Sequence, residues 1–556
     1  MPVPRPVSQL STHEVTNQPP PLTGFNAFST DIALREAAAA FGAAWIAPRA
    51  EALGAAAADE RVQSLARDAN RHVPELRSHD AQGNRLDDVE FHPAYHELMA
   101  LAFGSGVHSL AWTADEPGGH AARGVLSYLW NQIESGVGCP AGMTYSSPPI
   151  LALDGPLEDI WRGKLMAEGY EAGLKPIQEK SSATIGMTLT EKQGGSDLRA
   201  NETRAEPARE YGDTVYRLTG HKWFCSAPMS DAFVTLAQTE SGPTCFLLPR
   251  VLPDGTRNPF QIQRLKDKCG NRSNASSEVE FPGALVWRLG EEGRGIAAAL
   301  SMTHLTRADF AIASAGLMRQ ALMLALHHCR HRRVFQKSLV DQPLMGQVLA
   351  DLALESEAAM WLGLRLAHAI DRMEDDEAAR HLVRVMTPLA KFWVCKRAVP
   401  FLGEALECIG GNGFVEEHAM ARLYREAPLN GIWEGAGNVV ALDVLRALNR
   451  NPESGSALMD EVRQAQGQNA NLDKSIADLE NQLAGDTQSE AHCRQLVSAM
   501  AQTVQASLLA RFAPAAISDA FCAARLGADR GTAFGAGPAF TQPHQILQRA
   551  APILSD

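Results

Sequence analysis

The hydrophobic pattern of this 556-residue chain changes period twice, and that double change limits its fold more than any other feature. From about Ser29 to Trp130 apolar residues recur at helical spacing. DIALREAAAAFGAAW and HPAYHELMALAFGSGVHSLAW are the clearest cases, and polar breaks such as SHDAQGNRLDD separate them. Near Ser181 the character becomes short, β-branched and aromatic. DTVYRLTGHKWFCS, DAFVTLAQT, TCFLLPRVL, FQIQRLKDK and SSEVEF are each bounded by Gly, Asn, Asp or Pro. After Gly295 long helical patterns return, and a turn signal, NPESGS, precedes two or three further helical stretches. The expected architecture is therefore α+β and multidomain. A helical domain spans 1–183, a β domain 184–293, a helical bundle 294–450 and a helical extension 451–556.

Composition removes several function classes. Net charge is −13, so no global electrostatic attraction draws the chain to nucleic acid or an anionic bilayer. The extension carries 7 basic and 11 acidic residues, an unpromising surface for phosphates unless folding gathers its arginines on one face. Nine cysteines include no C-x-x-C pair, which argues against zinc and disulfide frameworks and for a reduced interior. The opening MPVPRPVSQLSTHEV lacks a secretory apolar stretch, and no uncharged apolar run reaches about 18 residues. A cytoplasmic protein without membrane spans is expected.

Several stretches could carry chemistry. In Met187–Asp197 an apolar run leads into a turn with two glycines. Thr190 and Ser196 there offer hydroxyls to a phosphate or a ring oxygen, although a plain polar hairpin loop would read the same. His221-Lys-Trp-Phe-Cys-Ser226 places Trp223 on a strand, where it packs a core or walls off a flat heteroaromatic ring. Glu407-Cys-Ile-Gly-Gly-Asn-Gly-Phe414 doubles the chain back. Ile432-Trp-Glu-Gly-Ala-Gly-Asn438 sets Glu434 beside an aromatic residue in a glycine-rich bend, where burial would raise its pKa into a general base's range. His331-Arg-Arg-Val-Phe335 closes a long helix, where basic residues either face its dipole or reach a phosphate. His92 and His96 stand at i, i+4 without a further ligand, so packing at a helix start is expected and no metal site. GGNGF follows no strand, so it fails as a dinucleotide-binding turn.

Taken together and in order, these stretches resemble the acyl-CoA dehydrogenase family. T-E-x-x-x-G-S-D at 190–197, K-W at 222–223, R-x-x-F at 332–335, G-G-x-G-F at 410–414 and aromatic-E-G at 433–435 carry the likeness. NQPPPL, RLDDVEFHPAYH, RLKDKCGNRSNAS and IWEGAGN resemble the branch tied to the bacterial response to DNA alkylation. The resemblance implies a helical, β and four-helix arrangement, non-covalent FAD, an acyl-CoA substrate and a homotetramer. It also implies roles for residues. Thr190 and Ser196 would contact FAD. Trp223, Phe224 and Cys225 would lie beside the isoalloxazine, with Ile432, Trp433, Gly435, Ala436, Gly437 and Asn438 over its other side. Arg332 and Gln342 would reach FAD across a subunit interface. Arg307, at the opening of a long helix, would sit at the substrate pocket, and Glu434 would be the base. In the same branch the extension is associated with DNA binding, so a DNA-protecting flavoprotein with little acyl-CoA turnover is the alternative. Gln336, Glu407 and Ala436 depart from the residues common in the family at those positions.

Overall fold

The computed structural model describes residues 6–484 and 489–550. Its N-terminal helices begin where short acidic side chains cap them. Asp31 accepts from the Leu34 N–H, Asp59 from Val62 and Asp154 from Leu157, each satisfying an orphan donor of the first turn. One polar stretch differs from expectation. SHDAQGNRLDD lies within a β-hairpin, β1 (Glu75–His79) paired antiparallel with β2 (Arg85–Glu90). Its outer face is charged, and Leu76 and Val89 pack inward on the β domain. His92 caps its helix through the Ala94 N–H, and His96 contacts the Tyr170 hydroxyl at 2.9 Å.

Seven strands form the β domain: β3 (Ile185–Thr188), β4 (Arg204–Pro207), β5 (Val215–Ser226), β6 (Ala232–Thr239), β7 (Gly242–Pro249), β8 (Gln261–Leu265) and β9 (Ser276–Leu289). Pairing runs β6-β4-β5-β9-β7 and returns to β6, so these five close a small barrel, with β3 added on β6 and β8 on β9. Strands β3 and β6 have almost no exposed residue. One face serves the barrel interior and the other packs on helices, which explains their unbroken apolar runs.

Behind the barrel lie the helices Gly295–His331, Pro343–Arg372 and Glu377–Ile409. The first is long and apolar enough to cross a membrane by length and composition, yet it is mostly buried in the bundle. It starts at Gly295, twelve residues before Arg307, so Arg307 sits well inside the helix rather than at its opening. Asp309 on the same helix is held by Arg123 and the Ser127 hydroxyl, which fixes the N-terminal helices against the bundle.

The extension is anchored by charge as well as by apolar contact. Glu355 accepts from Arg397 and Arg525, each at 2.8 Å, and Arg525 also meets Asp351. Glu461 bridges Arg365 and Arg511 at 2.6 and 2.7 Å, and Arg549 meets Glu36 and Glu357. Glu355 is 1% exposed, so removing its charge leaves Arg397 without its carboxylate and Arg525 with Asp351 alone. Glu355→Gln is expected to cost about 3 kcal/mol in chemical denaturation, with faster hydrogen exchange concentrated in Ala515–Leu526.

Candidate active site

The chain leaves the helix Ala419–Asn430, turns through 431–436 and re-enters a helix at Gly437. Within that turn Glu434 has φ +54° and Gly435 φ +105°. A side chain is strained at Gly435, where an added Cβ would lie 3.3 Å from Arg307 Nη2 and 3.1 Å from Val440. Glu434 is not a glycine, so its left-handed backbone costs about 1 kcal/mol and must be held by its surroundings.

Two buried cations hold it. Arg307 Nε donates to the Glu434 carbonyl at 2.8 Å. Lys391 Nζ donates to the Trp433 carbonyl at 2.8 Å and to the Gly435 carbonyl. Three successive carbonyls are thereby fixed from beneath. Arg307 is fixed in turn by Asp443 at 2.7 Å, and Asp443 is shared with Arg384 at 2.9 Å. Trp433 stacks on Phe310 with 4.7 Å between centroids, and its Nε1 donates to Asn430. The Thr303 hydroxyl lies 3.4 Å from the Glu434 carboxylate. Burial pushes the Glu434 carboxyl above its ordinary value, against the opposing pull of Arg307, Lys391 and Thr303.

On the β side, two motifs are joined by a fully buried ion pair. Lys222 Nζ donates to Glu191 at 2.7 Å and to the Leu236 carbonyl at 2.8 Å. Glu191 also accepts the backbone N–H groups of Glu202 and Thr203, which fixes the 190–197 loop on the sheet. Burial alone would raise the Glu191 pKa, but the Lys222 charge and these donors outweigh it and hold the carboxyl at about 2. The Trp223 N–H donates to the Thr190 carbonyl, and Ser196 is exposed in the same loop.

Strand β5 shifts register between Lys222 and Cys225. This bulge lets Trp223 and Phe224 both reach the surface while their neighbours turn inward. Phe224 is 49% exposed and Trp223 partly so. Lys266 Nζ stands 3.1 Å from the indole centroid, with Arg264 and Lys192 at 5.6 and 5.9 Å. The Cys225 thiol is a correction to the sequence reading. It is fully buried in the barrel core, leaving only its backbone for a ligand. Cys139 of the N-terminal helices is buried in the apolar cluster that holds Met187 and Ala227, and it lines a small cavity with Phe310 and Trp433. Trp433 packs on the same apolar cluster as Met187 and Ala227. The loop that carries Glu434 thus meets the β domain through Trp433.

Not every expected residue lies at that junction. Arg332 caps the far end of the helix that carries Arg307, roughly 37 Å away at 1.5 Å per residue. Its guanidinium donates to the Asn17 carbonyl, and Gln342 donates to the Val334 carbonyl. Both flank a tight hairpin, β10 (Arg333–Val334) and β11 (Lys337–Ser338), whose tip residues Phe335 and Gln336 have positive φ. Arg307 faces the base loop rather than open space. Ala436 and Asn438 are exposed at the start of the helix Gly437–Arg450. Lys391, Asp443, Arg384, Thr303 and Lys266 had no sequence signal, because each becomes meaningful only through a partner distant in the chain.

The comparisons with known proteins agree with this division. The adaptive response protein AidB N-terminal domain matches residues 17–172. The acyl-CoA dehydrogenase middle domain matches 186–284, and the acyl-CoA dehydrogenase C-terminal domain matches 293–449. Escherichia coli AidB is 46% identical over 85% of this chain and 87% of its own length. The structure of Caenorhabditis elegans ACDH-11 in complex with C11-CoA superposes with a TM-score of 0.84 at 24% identity, covering 99% of this chain and 95% of that one. An acyl-CoA dehydrogenase from Bacillus anthracis complexed with FAD gives 0.62 at 17% identity, over 77% and 80%.

The buried pair gives a test of the β side. Glu191 is depressed, so its contribution is complete above its ordinary pKa near 4.5 and is lost as pH falls toward about 2. Stability should therefore drop over that window, and Glu191→Gln should flatten the drop. Lys222→Met, which leaves a buried carboxylate alone, is expected to cost about 3–5 kcal/mol at neutral pH in a denaturant titration.

Proposed function

Since the chain belongs to the acyl-CoA dehydrogenase family, in the AidB branch, we infer that it oxidises a CH–CH bond of an acyl-CoA, with FAD as cofactor and Glu434 as base. The observation that carries this reading is the position of Glu434. A carboxyl with a burial-raised pKa is held in a strained turn by Arg307 and Lys391, next to a tryptophan that packs on the β domain.

The residues present fit FAD. Trp223 and Phe224 offer partly exposed aromatic side chains suited to a flat ring; Lys266 and Arg264, which lie over the indole, are both paired with Glu278, while Lys192 nearby could meet a diphosphate. Thr190 and Ser196 would add hydroxyl contacts, and residues 432–438 would cover the other face. When bound there, FAD supplies the hydride acceptor. Glu434 takes the α-proton of the acyl thioester. Burial raises its pKa and so makes it a stronger base than an ordinary carboxylate. The fixed backbone at 433–435 spends no reaction energy on orienting it.

Arg332 and Gln342 lie too far from their own chain's base loop to serve it, which supports a role toward a second copy. Phe335 is 91% exposed at the hairpin tip, Leu344 75% and Phe414 74%, and these apolar groups support burial against other subunits in a tetramer. The nine free cysteines suit a reducing, cytoplasmic setting. The DNA-protection alternative gains nothing from the extension. Four of its seven basic residues, Arg463, Arg511, Arg525 and Arg549, are each held by carboxylates, which leaves fewer charges for a phosphate.

The purified protein is expected to be yellow or to take up FAD on reconstitution. Anaerobic mixing with a panel of acyl-CoAs should bleach the flavin, and Glu434→Gln should keep the flavin while slowing bleaching at least a thousandfold, an order of magnitude suited to loss of a general base. No bleaching with any thioester, together with salt-sensitive DNA binding, would refute the dehydrogenase reading.

A further inference from the structure

Lys391 lies mid-helix in Glu377–Ile409 and is 1% exposed. A buried ammonium is costly unless its donors and its charge are both matched. Its donors go to the carbonyls on either side of Glu434. The left-handed turn brings those two carbonyls toward one point. A compact head with several donors can bridge them, where a planar guanidinium would span too widely. Its charge has fewer candidates. Facing it are Arg307 from the Gly295–His331 helix, Cys395 and Lys396 from its own helix, and Glu434 from the loop. Asp443 is already shared by two guanidiniums. Glu434 is thus the carboxylate that faces the ammonium.

We propose that Lys391 is a positioning residue for the base: it bridges the Trp433 and Gly435 carbonyls to fix the left-handed turn, and it adds its positive charge to that of Arg307 near the Glu434 carboxylate. This rests on Glu434 being the base. It adds that the base's proton affinity is set from beneath the loop, away from the substrate face. When Glu434 has accepted the substrate proton, the ammonium is left without its counter-charge, which favours release of that proton before the next turnover. Burial lowers the affinity of Lys391 itself to about 8, so its support fades as pH rises through that value.

The deciding experiment titrates the Glu434 carboxyl of the flavin-loaded protein by infrared difference, with Glu434→Gln as blank, and needs no substrate. In Lys391→Met the Glu434 midpoint should rise by about one pH unit. In Lys391→Gln, which keeps a donor without the charge, it should rise as well. Flavin bleaching by an acyl-CoA should slow about tenfold in Lys391→Met with its acid limb moved to higher pH, while half-saturation by acyl-CoA changes less than threefold. An unmoved midpoint in a folded, flavin-containing variant overturns the proposal. So does a variant that loses stability while its rate per flavin and acid limb stay unchanged. If the unsubstituted protein bleaches with no thioester, the dehydrogenase reading fails and the infrared midpoint still decides the role of Lys391.

Discussion

Glu434 occupies backbone space that a side chain enters only under constraint, and much of the helical half of the molecule meets that constraint. The constraint propagates outward in steps. The carbonyls of 433–435 are tied to Lys391 and Arg307, Arg307 to Asp443, and Asp443 to Arg384. Each of these residues sits on a long helix whose place is fixed by apolar packing. The placement of Glu434, the base we propose, is therefore inherited from the bundle core. Such inheritance suits a proton-transfer group, because small errors in its placement carry large rate penalties.

The β domain solves a similar problem with a different device. Its aromatic wall needs two adjacent side chains on the outside of one strand, which regular alternation forbids. The bulge in β5 permits it, and the Lys222–Glu191 pair secures both sides of the bulge to the neighbouring loop. In both halves a buried lysine organises a loop. Lysine suits the task because its donors can serve carbonyls from different segments at once.

Periodicity made most of the architecture legible. The long helices, the short strands and the switch between them follow directly from apolar spacing, and the glycine-rich turn around Glu434 announced itself by composition. The hairpin at 75–90 did not, because Val89 is its one buried apolar residue, Leu76 is half-buried, and the rest reads as a polar break. Arg307 was placed at a helix start because the first turns of that helix, rich in Ala and Ser, carry little periodic signal. Cys225 was grouped with its aromatic neighbours because a bulge cannot be read from three residues. The supporting charges were illegible for a deeper reason. Lys391 and the carbonyls it binds are more than forty positions apart, and nothing local marks a lysine as buried.

The arginine–carboxylate clusters that join residues past 450 to the bundle have a practical meaning for anyone dividing the chain. The cationic partners of Asp351, Glu355 and Glu357 include Arg525 and Arg549. Truncation at the linker would not release a detachable module. It would leave a concentration of negative charge on the bundle's helices beside newly bared leucines and valines, a surface prone both to swell and to aggregate. The apparent appendage and the catalytic bundle are thus one cooperative body, and a shortened version would report on misfolding rather than on what the missing segment does.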